Sequence, residues 1–175
     1  MVRGTAEKGP RWTASYRYLW EQIPRATQRV TLTMRVHPRV QLGAEWNPEV
    51  DEVEPLLNAH VVTETRVRPA LLVGTSSDRI GTPSGTAYYA TLSKDLSPWL
   101  HWPVAPYAGI SYGTYDDEAR VVGGLSASLG EWFSAMLIWD GVELHPTATA
   151  EFGRFAVTAL WVDTQAFGLS ASAVW

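Results

Sequence analysis

Phe167-Gly-Leu-Ser-Ala-Ser-Ala-Val-Trp175 closes the chain. Phe167, Leu169, Ala171, Ala173 and Trp175 put an apolar residue at every second position, with Gly168, Ser170, Ser172 and Val174 between them. A period of two marks a strand with two different faces. The face opposite the apolar one carries no charge, which a strand facing bulk water seldom tolerates. The segment therefore reads as the wall of a transmembrane β-barrel, with lipid outside and a polar lumen inside.

The same pattern recurs upstream. Over residues 29–46, Val30, Leu32, Met34 and Val36 share one parity, continued after Pro38 by Val40, Leu42, Ala44 and Trp46. Arg29, Thr31, Thr33, Arg35, Arg39, Gln41, Gly43 and Glu45 occupy the other parity, and Pro38 predicts a tight turn because it cannot donate to a ladder. Further strands are expected over 11–20, 57–66, 70–76, 85–94, 105–113, 119–129, 132–139, 142–151, 154–162 and 165–175. Asp140-Gly141 carries the strongest two-residue hairpin signal, since both central positions of a type I′ turn need positive φ. The acidic run over 47–55 reads as an exposed loop, and 97–103 as a broken aromatic link. The fold class expected is all-β, a single antiparallel transmembrane barrel of twelve strands, or ten if the weak segments at Leu57 and Val142 are discounted. Residues 1–10 form a lead-in and 11–175 the barrel domain. Connections are expected to alternate between long and short.

Composition narrows the class. The 175 residues carry nine tryptophans, no cysteine and a net charge of -4, so disulfides and thiolate metal sites are excluded and nucleic acid is not an expected partner. Charged residues make up 18%, against roughly 25% in an ordinary soluble domain. No apolar stretch is long enough for a membrane helix. The opening Met1-Val-Arg-Gly-Thr-Ala-Glu-Lys lacks the apolar core of a secretory signal, so an outer-membrane location expects this chain to be a mature form. Trp12, Trp20, Trp46, Trp132, Trp139, Trp161 and Trp175 gather near strand ends, as in an interfacial girdle where ring and N–H each meet a suitable medium. A soluble barrel binding a small apolar ligand would show the same alternation with its apolar face turned inward.

Few residues suggest chemistry. His37, His60, His101 and His145 lack metal spacing, and His37 and His145 each precede proline as turn residues do. Ser111, Ser126 and Ser170 have no nucleophile-elbow context. Glu45 and Glu64 could act as general acid and base, but inside a barrel an arginine–carboxylate ladder explains them more simply. The lumen-facing polar set expected is Arg17, Arg35, Arg39, Gln41, Glu45, His60, Glu64 and Arg66, lining water or plugging the barrel by pairing. No catalytic residue, cofactor or metal is expected, and no enzymatic activity.

Leu71-Leu-Val-Gly-Thr-Ser-Ser-Asp-Arg-Ile-Gly81, Tyr88-Tyr-Ala-Thr-Leu-Ser-Lys94, Pro106-Tyr-Ala-Gly-Ile-Ser-Tyr-Gly113, Trp139-Asp-Gly141 and the closing Phe-Gly-Leu-Ser-x-Ser pattern are similar to strands of bacterial outer-membrane proteins. Over about residues 39–175 the chain resembles porin-like barrels and barrels associated with exopolysaccharide export. The resemblance implies a non-enzymatic protein of the bacterial outer membrane, folded by machinery that recognises a C-terminal strand ending in an aromatic, here Trp175. It implies a small passive pore, or a non-conducting structural subunit of an envelope or polysaccharide-export assembly. Expected partners are outer-membrane lipids, other envelope proteins or a second copy of the chain, and small solutes or saccharides.

Overall fold

A computed structural model describes residues 11–23, 27–80 and 82–175. The lead-in expected over 1–10, part of the turn expected near 22–26, and Gly81 lie outside the described residues. The chain forms twelve antiparallel strands: β1 (Trp12–Leu19), β2 (Gln28–His37), β3 (Val40–Asn47), β4 (Glu52–Val62), β5 (Ala70–Ser77), β6 (Thr86–Ser93), β7 (Val104–Gly113), β8 (Glu118–Ser128), β9 (Phe133–Trp139), β10 (Leu144–Phe152), β11 (Phe155–Val162) and β12 (Ala166–Val174). One helical turn, α1 (Ser97–Leu100), lies between β6 and β7. Each strand pairs with its sequence neighbours, and β12 pairs with β1, so the sheet is a closed barrel. Trp12 and Trp175 seal the seam by donating N–H to each other's carbonyl at 2.9 and 3.1 Å.

Cross-strand partners share a face, so the register maps inside and outside. Leu32 is opposite Ala14 and Ala44, Leu137 opposite Leu125, and Leu169 opposite Tyr18, all on the outward face. Leu32, Val36, Phe133, Leu137 and Leu169 are exposed, and Val30 and Met34 lie on the same outward parity. The inward face holds Ser15, Arg17, Thr31, Thr33, Glu45 and Ser172, and no packed apolar core fills the barrel. Among the described residues one buried hydrophobic cluster, Leu19, Leu160, Val162 and Ala166, sits at the end of the barrel opposite the start of β1 and the end of β12.

Three prolines stand inside strands of a sheet that has no edge. Pro55, Pro106 and Pro146 each lie one or two residues beyond the end of the ladder on one side, where β5, β6 and β11 respectively have ceased to pair. The missing N–H therefore costs no ladder bond, and neighbouring strands are staggered as a barrel requires. Pro55 keeps its carbonyl bonded to the Thr75 hydroxyl at 3.0 Å.

Three local expectations are corrected. β4 starts at Glu52, so Glu52 and Glu54 belong to a strand and not to an exposed loop; Val53, Pro55 and Leu57 alternate with them on the outward face. At 140–143 only Gly141 has positive φ, so Asp140-Gly141 is not a type I′ pair: the Asp140 carboxylate instead accepts N–H groups of Val142 and Glu143 at 2.9 and 2.8 Å. Consecutive positive φ occurs at Asp163 and Thr164, 56° and 53°, in the β11–β12 turn. His145 is a buried inward residue of β10, not a turn residue.

Inward tyrosines lie across glycines of the neighbouring strand. A Cβ on Gly74 would overlap the Leu57 carbonyl oxygen and the Tyr89 ring, and one on Gly124 the Leu137 carbonyl oxygen and the Tyr107 ring, whereas one on Gly123 would come no nearer than 3.0 Å to the Tyr107 carbonyl oxygen. Gly74→Ala and Gly124→Ala are thus expected to cost about 1–3 kcal/mol by overpacking, and Gly123→Ala distinctly less. Midpoints of urea unfolding check this order; equal losses at all three would refute it.

Candidate functional site

Two ends define the barrel. The terminal end holds the start of β1, the end of β12 and the connections 38–39, 63–69, 94–103, 129–132 and 153–154. The distal end holds 20–27, 48–51, 78–85, 114–117, 140–143 and 163–165. Connection length separates them only in part: 94–103, a long link at the terminal end, is the expected exception to the alternation, but 63–69 at the same end is also long where a tight turn near Val67 is expected. Charge does separate them. Among the described residues the distal connections carry Glu21, Glu49, Asp51, Asp78, Asp116, Asp117, Asp140, Glu143 and Asp163 against Arg79; the terminal ones carry Arg39, Arg66, Arg68, Lys94 and Arg154 against Glu64, Asp95 and Glu131.

The inner wall has two halves. On β1–β4, Arg17 is paired in register with Arg29, and the Arg29 guanidinium forms an ion pair with Glu45. Glu45 is opposite Glu54, which accepts the Thr86 hydroxyl at 3.2 Å. Asn47 lies within 3.5 Å of Glu45, and the Gln41 amide donates to Thr33 at 2.6 Å. Arg17, Arg29 and Arg35 thus share this half with Glu45, Glu52 and Glu54, three charges of each sign on one wall. On β8–β12 the inward row Ser128, Ser134, Thr149, Thr158 and Ser170 is in register strand by strand, and Thr149 and Thr158 share a hydrogen bond at 2.8 Å. These small hydroxyl residues are only partly buried although they point inward, so the barrel encloses accessible space beside them.

Sequence reasoning placed the site residues unevenly. Arg17, Arg35, Gln41 and Glu45 stand on the inner wall. Arg39 is exposed in the β2–β3 turn, and His60 is exposed where β4 ends in a bulge. Glu64 and Arg66 lie in the 63–69 connection, with Glu64 bonded to Lys94 rather than to a ladder. Arg29, Asn47, Glu52 and Glu54 were missed as site residues. The period of two through Glu52, Glu54 and Leu56 was the available signal, hidden because an acidic run also resembles a loop. Of the tryptophans, Trp12, Trp132 and Trp175 are at the terminal end, and Trp20, Trp46, Trp139 and Trp161 at the distal end. Trp20 stacks on Phe167 at 5.3 Å between ring centroids, with Trp161 on the same ring at 4.8 Å.

The 78–85 connection reaches inward at the distal mouth. Ile80, in the 78–85 connection, packs against the cluster of Leu19, Leu160, Val162 and Ala166 from β1, β11 and β12. β5 and β6, which bracket this connection, stand well across the barrel from those strands, so the segment spans the lumen. Thr82 is 1% exposed and its hydroxyl donates to the Arg79 carbonyl at 2.9 Å. The Asp78 carboxylate accepts the N–H groups of Arg79 and Tyr115 at 2.8 and 3.1 Å, and Arg79 approaches Asp116 at 3.5 Å. These contacts tie the crossing segment to the 114–117 turn. Asp78 can approach so closely because residue 113 is glycine; a Cβ there would overlap the carboxylate.

Beside this segment, the buried His145 accepts the Asp163 N–H at 3.0 Å through Nδ1 and places Nε2 3.1 Å from Asp140. Among the described residues no group of three or more histidine, cysteine or acidic residues could hold a metal ion. No family model and no curated protein matches the chain. What the structure shows of the expected architecture is a closed twelve-strand antiparallel barrel.

At the same rim, a hydrogen bond shared with the Asp163 carboxyl lifts Glu143 above the usual glutamate range. A carboxyl with a raised folded-state pKa stabilises the fold below its unfolded value and loses that contribution as pH rises through the folded value. Glu143→Gln, which retains a donor and discards the charge, is expected to flatten the dependence of Tm on pH as pH rises above the ordinary glutamate range. An unchanged slope in thermal unfolding would refute the shared proton.

Proposed function

We propose that the protein is a bacterial outer-membrane β-barrel serving as a small, non-enzymatic passive pore whose lumen narrows at the distal mouth. The observation that carries this reading is the outward face. Large apolar side chains such as Leu32, Leu92, Ile110, Val121 and Phe155 are exposed around the whole wall, while Arg17, Glu45, Asn47 and Glu54 are buried inside. In water this arrangement forfeits the hydrophobic effect and also buries charge; in hydrocarbon it reverses sign. Closure supports the same reading, since lipid leaves no solvent to satisfy an open edge. The tryptophans at both ends fit two interfaces, and the polar inner wall offers little to an apolar ligand.

Arg29 and Glu45 are paired and the ladder balances positive against negative, so ion selectivity is expected to be weak and to weaken further in high salt. Reconstitution in a planar bilayer tests the pore directly. Stable open steps support it, and Ile80→Ser is expected to raise the conductance of each step by loosening the crossing segment. The Ile80 contact across the distal mouth favours one second reading, a non-conducting structural barrel of an envelope or polysaccharide-export assembly, and a silent but stably inserted barrel would select it. A chain that stays soluble and monomeric without detergent would reject both.

The medium has its own test. Leu169→Arg, which places a cation at the outward face, is expected to cost about 2–4 kcal/mol for folding into vesicles. A cost near zero would mean that Leu169 faces water.

A further inference from the structure

The 63–69 and 94–103 connections at the terminal end are bound into one unit. Lys94 forms an ion pair with Glu64 and donates to the Thr65 carbonyl at 2.9 Å, and the Asp95 N–H donates to Glu64 at 2.9 Å. Asp95 in turn accepts the N–H and hydroxyl of Ser97 at the start of α1, bonds that hold its carboxyl below the usual aspartate range. Both carboxylates of the unit are thus spent on internal bonds. What the unit presents outward is apolar and basic: Val67 is 84% exposed and Trp102 72%, beside exposed Trp99 and Leu100, with Arg66 and Arg68 exposed on either side of Val67. Lys94 stands 4.7 Å over the Trp99 ring.

An exposed tip of this composition has no use for water. Its apolar members are contiguous with the outward wall, because the row Val62, Leu71 and Leu92 runs along β4, β5 and β6 where these connections leave them. Its charge favours one partner class: an anionic surface attracts the exposed Arg66 and Arg68, whereas the distal rim, with its carboxylates, would be driven from such a surface. Aromatic and aliphatic side chains beside arginines fit the boundary between phosphate headgroups and acyl chains.

We propose that this joined pair of connections docks onto anionic lipid headgroups and fixes the terminal end of the barrel against an anionic leaflet. The inference rests on the membrane reading above and adds which end meets which lipid chemistry. The chain has no cysteine, so a single one can be labelled without background. An environment-sensitive dye on Val67→Cys reports the tip, and the same dye on Leu137→Cys, in the outward wall of β9, reports insertion. Both are reconstituted in vesicles of phosphatidylcholine alone or mixed with phosphatidylglycerol, each with a quencher on the lipid headgroup region.

With residue 137 shielded from water in both membranes, the expected result is quenching at residue 67 several-fold stronger in the anionic vesicles. That difference should shrink in high salt and be lost in Arg66→Gln/Arg68→Gln. Equal quenching in both lipids, insensitive to salt, would overturn the anionic specificity. A residue 67 dye that stays in water while residue 137 is shielded would overturn the docking and leave the membrane reading standing. Water-exposed dye at both positions would overturn the membrane reading and this proposal with it.

Discussion

The pairing of β12 with β1 is the interaction on which the rest depends. From Thr13 with Val174 to Leu19 with Gly168, the two ends of the chain complete the ladder that every other strand shares with its sequence neighbours. An open twelve-strand sheet would leave two rows of backbone donors and acceptors unpaired, and neither lipid nor a dry interior could satisfy them. Closure also removes freedom elsewhere. Once the sheet returns on itself, the inside of one strand is the inside of all, and prolines can stand only where a staggered neighbour has stopped pairing. Pro55, Pro106 and Pro146 occupy such places.

The enclosed space is not uniform. Ion pairs concentrate on β1–β4, small hydroxyl residues on β8–β12, and tyrosines packed over glycine lie between, at Tyr89 over Gly74 and Tyr107 over Gly124. Glycine at those positions gives an inward ring room to lie along the wall rather than stand into the lumen. At the distal end the balance changes from polar to apolar: Leu19, Leu160 and Val162 converge and Ile80 crosses to meet them. A barrel of this strand number could hold a water-filled passage, and Ile80 packs across it at the distal end.

Charge is sorted along the barrel axis by the same topology. Successive connections fall at alternate ends, so acidic residues separated by tens of positions, from Glu21 to Asp163, collect around one rim, while Arg39, Arg66, Arg68 and Lys94 collect at the other. None of these groupings is a sequence motif. They arise because an up-and-down barrel brings every second connection together.

The sequence by itself determined the faces and the number of strands, because a period of two is a local property: Leu169 and Ser170 point opposite ways wherever the strand is placed. Closure followed only through the membrane reading, since hydrocarbon leaves no partner for the backbone of an open edge. The sequence misassigned Glu52 and Glu54, where a run of carboxylates outweighed the alternation, and Glu64 and Arg66, where parity was counted past the bulge that ends β4. Only the tertiary structure decided that Arg29 meets Glu45, that Asp78 fits against Gly113, and that Ile80 packs against Leu19 and Leu160. Each of those contacts joins residues whose separation in sequence says nothing of their distance, and the curvature and stagger of the closed sheet bring them together.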